Sequence, residues 1–568
     1  MREHIYLKQI SSLEKVFLRD KGDWAQQEEI SLLKGDRASY QIAYCKDGEY
    51  PGTHLTRRVG MSYSIKSPIK DLLDIRMVGN VGVEFPNVED HDGYVHTIEP
   101  GFYPDPLYKP IKRFYATNKT WHSLFIMIKT DTEVKAGTYP VDITFKIDEP
   151  TWHSEADIVF ENEKSSITMH MSVKIIDAVL PKQELIYTQW FHADCISEYY
   201  GYKSFSEKHW KMIEKFVRVA AENGINTILT PIFTPPLDTY VNTTRPTAQL
   251  IDITVGEDGK YAFGFDKFDR WVDMCKKNGI ENFEMAHLFT QWGAECCPKI
   301  MAKVKGRSKQ IFGWHTASDS PEYKEFLSNF LPALVNQIKK NGIEKNTFFH
   351  ISDEPGLAHL DKYKQLRDFV KPYLKEFLIT DAMSRYAYYT AGAVEQPVVS
   401  IDHIDTFIEK QIEGLFAYYC STQYKDVSNR FLCMPSFKNR SICLPMFKYN
   451  IIGFLHWGYN FYYSRGSEEL INPFVTTDAG YSFPAGDSFS VYPGKDGPIE
   501  SIILTVFAEA LCDIRAMKLL ESYIGHNEVV KLIEDMAGDE VTFSNYPHES
   551  EFYLELRRRI NEEIAKSV

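Results

Sequence analysis

The chain has 568 residues, 44% hydrophobic and 25% charged, which is ordinary for a globular protein and too long for a single small core. A net charge of −14 without any Lys/Arg-rich run argues against a nucleic-acid partner, and the lack of an 18-residue apolar run argues against a membrane span. Nine cysteines, odd in number and without a C-x-x-C spacing, fit reduced thiols in a cytoplasm, and the start MREHIYLKQISSLEKVFLRDKGDW lacks the apolar segment of an export signal.

Residues 1–180 carry short alternating segments such as Ser39-Tyr40-Gln41-Ile42-Ala43-Tyr44 and Ser123-Leu124-Phe125-Ile126-Met127-Ile128, separated by Gly, Pro, Asn and Asp. That spacing predicts an N-terminal β-sandwich. Within it, Gly101-Phe102-Tyr103-Pro104-Asp105-Pro106-Leu107 reads as a proline-stiffened loop that cannot continue a strand pairing.

From residue 181 to 475 the pattern becomes alternating strand and helix. A capping box at Ser204 and Glu207 opens a helix whose apolar face is Trp210, Ile213, Phe216, Val217 and Ala220, and Asn223-Gly224 closes it. Asn278-Gly279-Ile280 and Asn341-Gly342-Ile343 repeat that ending, each followed by a strand. With strands near 186, 226, 283, 347, 377, 398, 415 and 451, the expected class is α/β: a (β/α)8 TIM barrel behind the all-β sandwich. A doubly wound sheet is the alternative, but neither G-x-G-x-x-G nor a P-loop follows the first strand. Residues 476–568 are expected to be a C-terminal tail, with a loop and helices that pack on the barrel.

The chemistry centres on Asn346-Thr347-Phe348-Phe349-His350-Ile351-Ser352-Asp353-Glu354-Pro355-Gly356, an apolar strand that ends in two carboxylates. Parallel sheets gather their chemistry at such strand ends, so the pair is placed for acid/base work, although Asp353 could equally cap the next helix. The other strand ends would bring in Trp190 and His192, His287 and Trp292, Asp381, Asp402, Tyr418, and His456, Trp457, Tyr459 and Asn460, with Tyr386 and Tyr388 nearby. Acids and many flat rings in one pocket suit a sugar. No metal or cofactor cluster is visible, and none is expected to be needed; the adjacent Cys296-Cys297 lacks neighbouring ligands at zinc spacing.

At this point the residues resemble a family. His350-x-Ser352-Asp353-Glu354-Pro355, the run Gly453-Phe454-Leu455-His456-Trp457-Gly458-Tyr459-Asn460, the 101–107 segment, and Gly486-Asp487 with Tyr492-Pro493-Gly494 are similar to glycoside hydrolase family 123, the β-N-acetylgalactosaminidases. The helix after Gly494 departs from the family's pattern, with Ile502-Ile503-Leu504-Thr505 and Cys512-Asp513-Ile514-Arg515 where an Arg and acidic residues are expected. The resemblance implies an exo-acting, retaining, substrate-assisted enzyme whose partner is a glycan carrying terminal β-linked N-acetylgalactosamine. Glu354 would be the acid/base and Asp353 would hold the acetamido group. Trp190, His192, His287, Trp292, Tyr386, Tyr388, Tyr418, His456, Trp457, Tyr459 and Asn460 are the candidate binding residues. Two other readings stay open here: a two-carboxylate glycosidase pairing Glu354 with Asp381 or Asp402, and a carbohydrate-binding protein without turnover.

Overall fold

The computed structural model describes residues 2–47, 58–110, 113–148, 157–241 and 243–568. The chain divides into two units. Met1–Gln183, Ser428–Lys448 and Ile499–Val568 form the first, and Glu184–Val427 with Tyr449–Pro498 form the second.

In the first unit a six-stranded sheet and a five-stranded sheet share one apolar core. The six-stranded order is Asp157–Phe160, Arg2–Ser11, Arg37–Asp47, His122–Lys129, Leu73–Val83, Gly101–Tyr108; the five-stranded order is Glu29–Lys34, Ser166–Val179, Gly137–Ile147, Arg58–Lys66, Phe114–Thr117. Alternate residues of both, among them Tyr40, Ile42, Ile126, Ile143, Phe145 and Val173, face each other in the core, as a sandwich of half-buried strands requires. The expected loop at 101–107 is instead a strand. Gly101–Tyr108 pairs antiparallel with Leu73–Val83, with a register break between Val78 and Asn80. It is the edge strand, where Pro104 and Pro106 cost the ladder little.

The tail also differs from the expectation. Ile499–Val568 belongs to the first unit, and its last helix, Ser550–Ser567, packs against Glu29–Lys34 and Ser166–Val179 of the five-stranded sheet. Charge ties the three stretches of this unit together. Buried Arg440 is bidentate to Asp513 at 2.7 and 3.0 Å and reaches Glu509 at 3.0 Å, while Arg557 joins Asp513 at 2.9 Å and Asp36.

The second unit carries a curled, TIM-like sheet of eight parallel strands, labelled here in chain order. They are β1 (Ile186–Gln189), β2 (Thr227–Thr230), β3 (Asn282–Met285), β4 (Thr347–Phe349), β5 (Leu378–Ile379), β6 (Val398–Ser400), β7 (Phe416–Tyr418) and β8 (Gly453–His456). Each lies where the sequence places a strand. The order runs β5-β4-β3-β2-β1-β8-β7-β6, so every pair of chain neighbours except β5 and β6 is adjacent in the sheet, and β1 also pairs with β8. Just past β5, a parallel bridge joins Ala382 to Val398 of β6. Bonds from Met383 N to Val398 O (2.9 Å) and from Val398 N to Asp381 O (3.2 Å) flank it.

Helices Glu207–Glu222, Asp266–Lys277 and Pro321–Lys340 bury the faces that the 3.6-residue period predicts. Each ends in an Asn-Gly whose glycine has positive φ: +86° at Gly224, +94° at Gly279, +63° at Gly342. The N-cap of Glu207–Glu222 is Ser206, not Ser204, and no side chain bonds there; the capping box does not form. A four-stranded sheet absent from the sequence reading (Tyr261–Gly264, Asp252–Val255, Ile300–Val304, Arg307–Phe312) is inserted after β2 and β3. Its Tyr261, Phe263 and Phe312 pack on Phe326, one turn into Pro321–Lys340.

Candidate active site

Beyond β4 the chain leaves strand geometry, and its neighbours pin it on both sides. Trp292 N donates to Asp353 O at 2.8 Å from the loop after β3, and Glu354 N donates to Ala382 O at 3.2 Å in the segment after β5. Ser352 Oγ donates to Thr290 O at 2.8 Å. Glu354 has φ +42°, an unusual state for a residue with a side chain that also precedes a proline. Successive strand residues face opposite ways, and this break frees Asp353 and Glu354 from that alternation. Left-handed backbone at a non-glycine residue costs about 1–3 kcal/mol, and the two backbone bonds hold it there.

The side chains repel. Asp353 is held well above the usual carboxylate range by burial, then by Glu354, Asp381 and Asp238, with His350 acting in the opposite sense. Glu354 has accessible surface at the mouth, yet protein encloses its carboxyl and raises it. Tyr418 opposes that rise, donating to Glu354 Oε1 at 2.6 Å, and Asp402 adds to it. With two adjacent acids both pushed upward, the doubly ionised pair is disfavoured. Tyr418 is itself positioned by Ser384 (3.2 Å), which bonds Ser400 (2.7 Å).

Beneath the pair lies a buried ionic cluster. His350 Nδ1 is 3.2 Å from Asp381 Oδ1, and His350 Nε2 is 3.8 Å from Glu284 Oε1. Asp381 also accepts from Ile351 N at 3.0 and 3.1 Å and from Tyr363 OH at 2.5 Å; Glu284 accepts from Thr188 at 2.9 Å. His287 stacks on His350 at 4.6 Å, and Trp190 meets His287 edge-on at 5.2 Å. Neither ring nitrogen of His287, nor Nε1 of Trp190, has a partner among the described residues, although both side chains are buried. His287, His350 and Asp381 put donor atoms within 4.8 Å of one another. The two rings are nearly parallel, at 19°, and the Asp381 oxygens are taken up by hydrogen bonds, so these groups do not converge on an ion.

A wall follows from β8. Trp457, half-buried, donates Nε1 to Asp487 Oδ2 at 2.9 Å, and His456 Nε2 lies 3.5 Å from Asp487 Oδ1. Gly458 permits this approach: a Cβ there would stand 2.4 Å from Ser488 O. Trp292 is the exposed ring of the loop after β3, 45% accessible, on a backbone of three consecutive positive φ values (+57°, +138°, +54°) at 292–294. Asp238, after β2, accepts from Gly466 N at 3.0 Å, and burial pushes its carboxyl up to about 6.

Other candidates are engaged elsewhere. His192 bonds Trp457 O (3.1 Å) and Arg245 (3.0 Å), and burial pushes it down to about 3. Asn460 clamps the same turn, accepting from His192 N at 2.8 Å and donating to His192 O at 3.1 Å. Tyr459 donates to Phe216 O at 2.9 Å, into the helical layer, and Tyr388 donates to Gly356 O at 2.9 Å. Tyr386 is half-buried against Phe407 at 5.2 Å. The sequence reading omitted Glu284, Asp238 and the buried pair Asp194–Arg245, bidentate at 2.6 and 2.9 Å. Glu284 was findable as a lone acid inside an apolar strand, whereas nothing local marks a pair 51 residues apart.

The model of the family described as glycoside hydrolase 123, catalytic domain, matches residues 190–520, more than half of the chain. The chain belongs to glycoside hydrolase family 123. It is therefore a glycosidase and its substrate is a glycan. Among solved structures it is similar to a family 123 glycoside hydrolase from Clostridium perfringens described for glycolipid glycan hydrolysis. That likeness has a TM-score of 0.73 at 16% identity, over 99% of this chain and 97% of the other, and shows a shared fold. A family 5 xyloglucanase from Bacteroides ovatus (TM-score 0.29, 9% identity, 85% and 98% covered) and a family 5 mannosidase from Rhizomucor miehei (0.32, 11%, 61% and 94%) are too distant to carry an argument. No curated protein matches the sequence.

Proposed function

We propose that the chain is an exo-acting β-N-acetylgalactosaminidase that works with retention through an oxazolinium intermediate, on a (β/α)8 barrel closed by the Ala382–Val398 bridge. The observation that carries this reading is the adjacency of Asp353 and Glu354 on one strand end. A nucleophile and an acid flanking a sugar need carboxyls roughly 5 Å apart across the scissile bond, which neighbours on one strand do not easily provide. In substrate assistance the acetamido oxygen attacks the anomeric carbon instead. Glu354 gives its proton to the leaving oxygen, then takes one from the incoming water. Asp353, ionised, accepts from the acetamido N–H and steadies the growing positive charge. The pair needs one proton between two acids, and the raised state of both supports that.

Trp457 and Trp292 are the ring platforms in this reading, and Trp190 Nε1 and His287 are buried polar groups that sugar hydroxyls would satisfy. Glycans of the glycolipid kind, named for the Clostridium perfringens enzyme, are the substrate class. Nine free cysteines support a cytoplasmic location. A two-carboxylate mechanism would have to use Asp402, because Asp381 is fully buried and its oxygens are occupied.

The test is release of p-nitrophenol from the β-N-acetylgalactosaminide, with the plain β-galactoside as control. Turnover of the acetamido substrate alone is expected, with Asp353→Asn and Glu354→Gln each falling by about 10²–10⁴-fold. Cleavage of the galactoside, or an Asp353→Asn enzyme near full activity, would reject substrate assistance.

A further inference from the structure

We propose that His350, set between Asp381 and Glu284 under the acid pair, is a fixed positive charge that favours the carboxylate form of Asp353 against its burial, and so is a positioning residue of the hydrolysis. The inference rests on the reading above, in which Asp353 works as a carboxylate.

The geometry begins with the two ring nitrogens. Nδ1 faces Asp381 Oδ1 at 3.2 Å and Nε2 faces Glu284 Oε1 at 3.8 Å. A neutral imidazole has one donor and one acceptor nitrogen, so in that form one lone pair would point at a carboxylate. Only the imidazolium turns a proton toward both, hydrogen-bonding Asp381 and facing Glu284 as a longer ion pair without a hydrogen bond. The ring is fully buried, and its exposed alternatives are closed: His287 covers one face at 4.6 Å and Trp190 lies 6.1 Å away, edge-on. Desolvation works against the charge, but the bond to Asp381 and the negative charges of Asp381 and Glu284 outweigh it and push His350 up to about 10.

The groups that face Asp353 give this charge its use. Burial, Glu354 beside it, Asp381 from the end of β5 and Asp238 from the loop after β2 all favour its neutral form. His350, three residues back on the same strand exit, favours the carboxylate. Its other titratable neighbours are Glu284 on β3, His287 after β3, which burial and His350 keep neutral, and Tyr363, which reaches it through Asp381. Without the imidazolium, Asp353 would face three carboxyl groups and no cation in this set, and would take up a proton at higher pH.

The experiment is the pH dependence of kcat/KM for the aryl β-N-acetylgalactosaminide with His350→Gln, read beside wild type and Asp353→Asn. We expect the acidic limb to move to higher pH by about one unit, with the alkaline limb in place, since a nearby charge shifts a carboxyl by that order. A uniform loss of rate with both limbs unmoved would mean a structural role and overturn the proposal. If His350→Gln does not fold, ring-¹⁵N-labelled wild-type protein decides. One of the 17 histidines should keep both nitrogens protonated at pH 8.5, and a spectrum in which all are neutral overturns it. Failure of the underlying function is distinguishable, because it would appear as an active Asp353→Asn enzyme.

Discussion

Replacing Tyr418 by Phe removes the 2.6 Å bond to Glu354 Oε1 and the hydroxyl's 3.2 Å contact with Ser384 Oγ, but nothing apolar from the core, since the ring itself stays in place at the end of β7. A hydrogen bond to a charged group contributes about 1.5–3 kcal/mol. Glu354 retains contact with solvent, which takes over part of the lost bond, so the low end applies, about 1–1.5 kcal/mol, or about one pH unit at 1.36 kcal/mol per unit. The sign follows from which form is stabilised. Tyr418 favours the ionised carboxylate and opposes the rise caused by burial, so its loss raises Glu354 further. The alkaline limb of kcat/KM, where the acid loses its proton, should therefore move up by about one unit, with a few-fold lower rate at the optimum because a weaker acid transfers its proton less readily. Initial rates with the aryl glycoside across pH 4–9 read both effects. An alkaline limb that stays put, or moves down, would refute the assignment of Glu354 as the proton donor controlled by Tyr418.

Tyr459→Phe should cost about 1 kcal/mol of stability in urea unfolding, from the lost bond to Phe216 O, and leave kcat/KM within threefold; a larger loss would return this ring to the site. Gly458→Ala drives a Cβ to 2.4 Å from Ser488 O and 2.6 Å from Asp487 O, contacts that no rotamer relieves. It should cost about 1–3 kcal/mol and raise KM by displacing Asp487 from Trp457, and unchanged melting and KM would show the loop to be slack.

What was legible in the sequence was what a single residue or a period can dictate. The Asn-Gly helix endings mark positions where only glycine takes positive φ without strain, and they located the helix–strand joints of the second unit. The acid pair stood out because two carboxylates ended an apolar strand. Direction was not legible: Tyr418 and Tyr459 are both rings at strand ends, yet one meets Glu354 and the other a helix carbonyl, and only the backbone path past the strand decides. Edge position was not legible either, so Pro104 and Pro106 read as loop formers. The inserted strand Arg307–Phe312 runs from three exposed side chains through two half-buried ones to one buried one, and leaves no alternation to read. Asp194 finds Arg245 only through the fold.

Residues 428–448 leave the second unit after β7, join the first, and return for β8. A nascent chain therefore cannot complete the parallel sheet until that excursion has been made, and the excursion carries Arg440, whose carboxylate partners on 502–524 are synthesised later still. Excising residues 190–520 as a self-contained enzyme would strand that guanidinium's network without Arg557 and Asp36. For expression, truncation and domain shuffling, the two units are a single inheritance, and the smallest useful fragment is close to the whole chain.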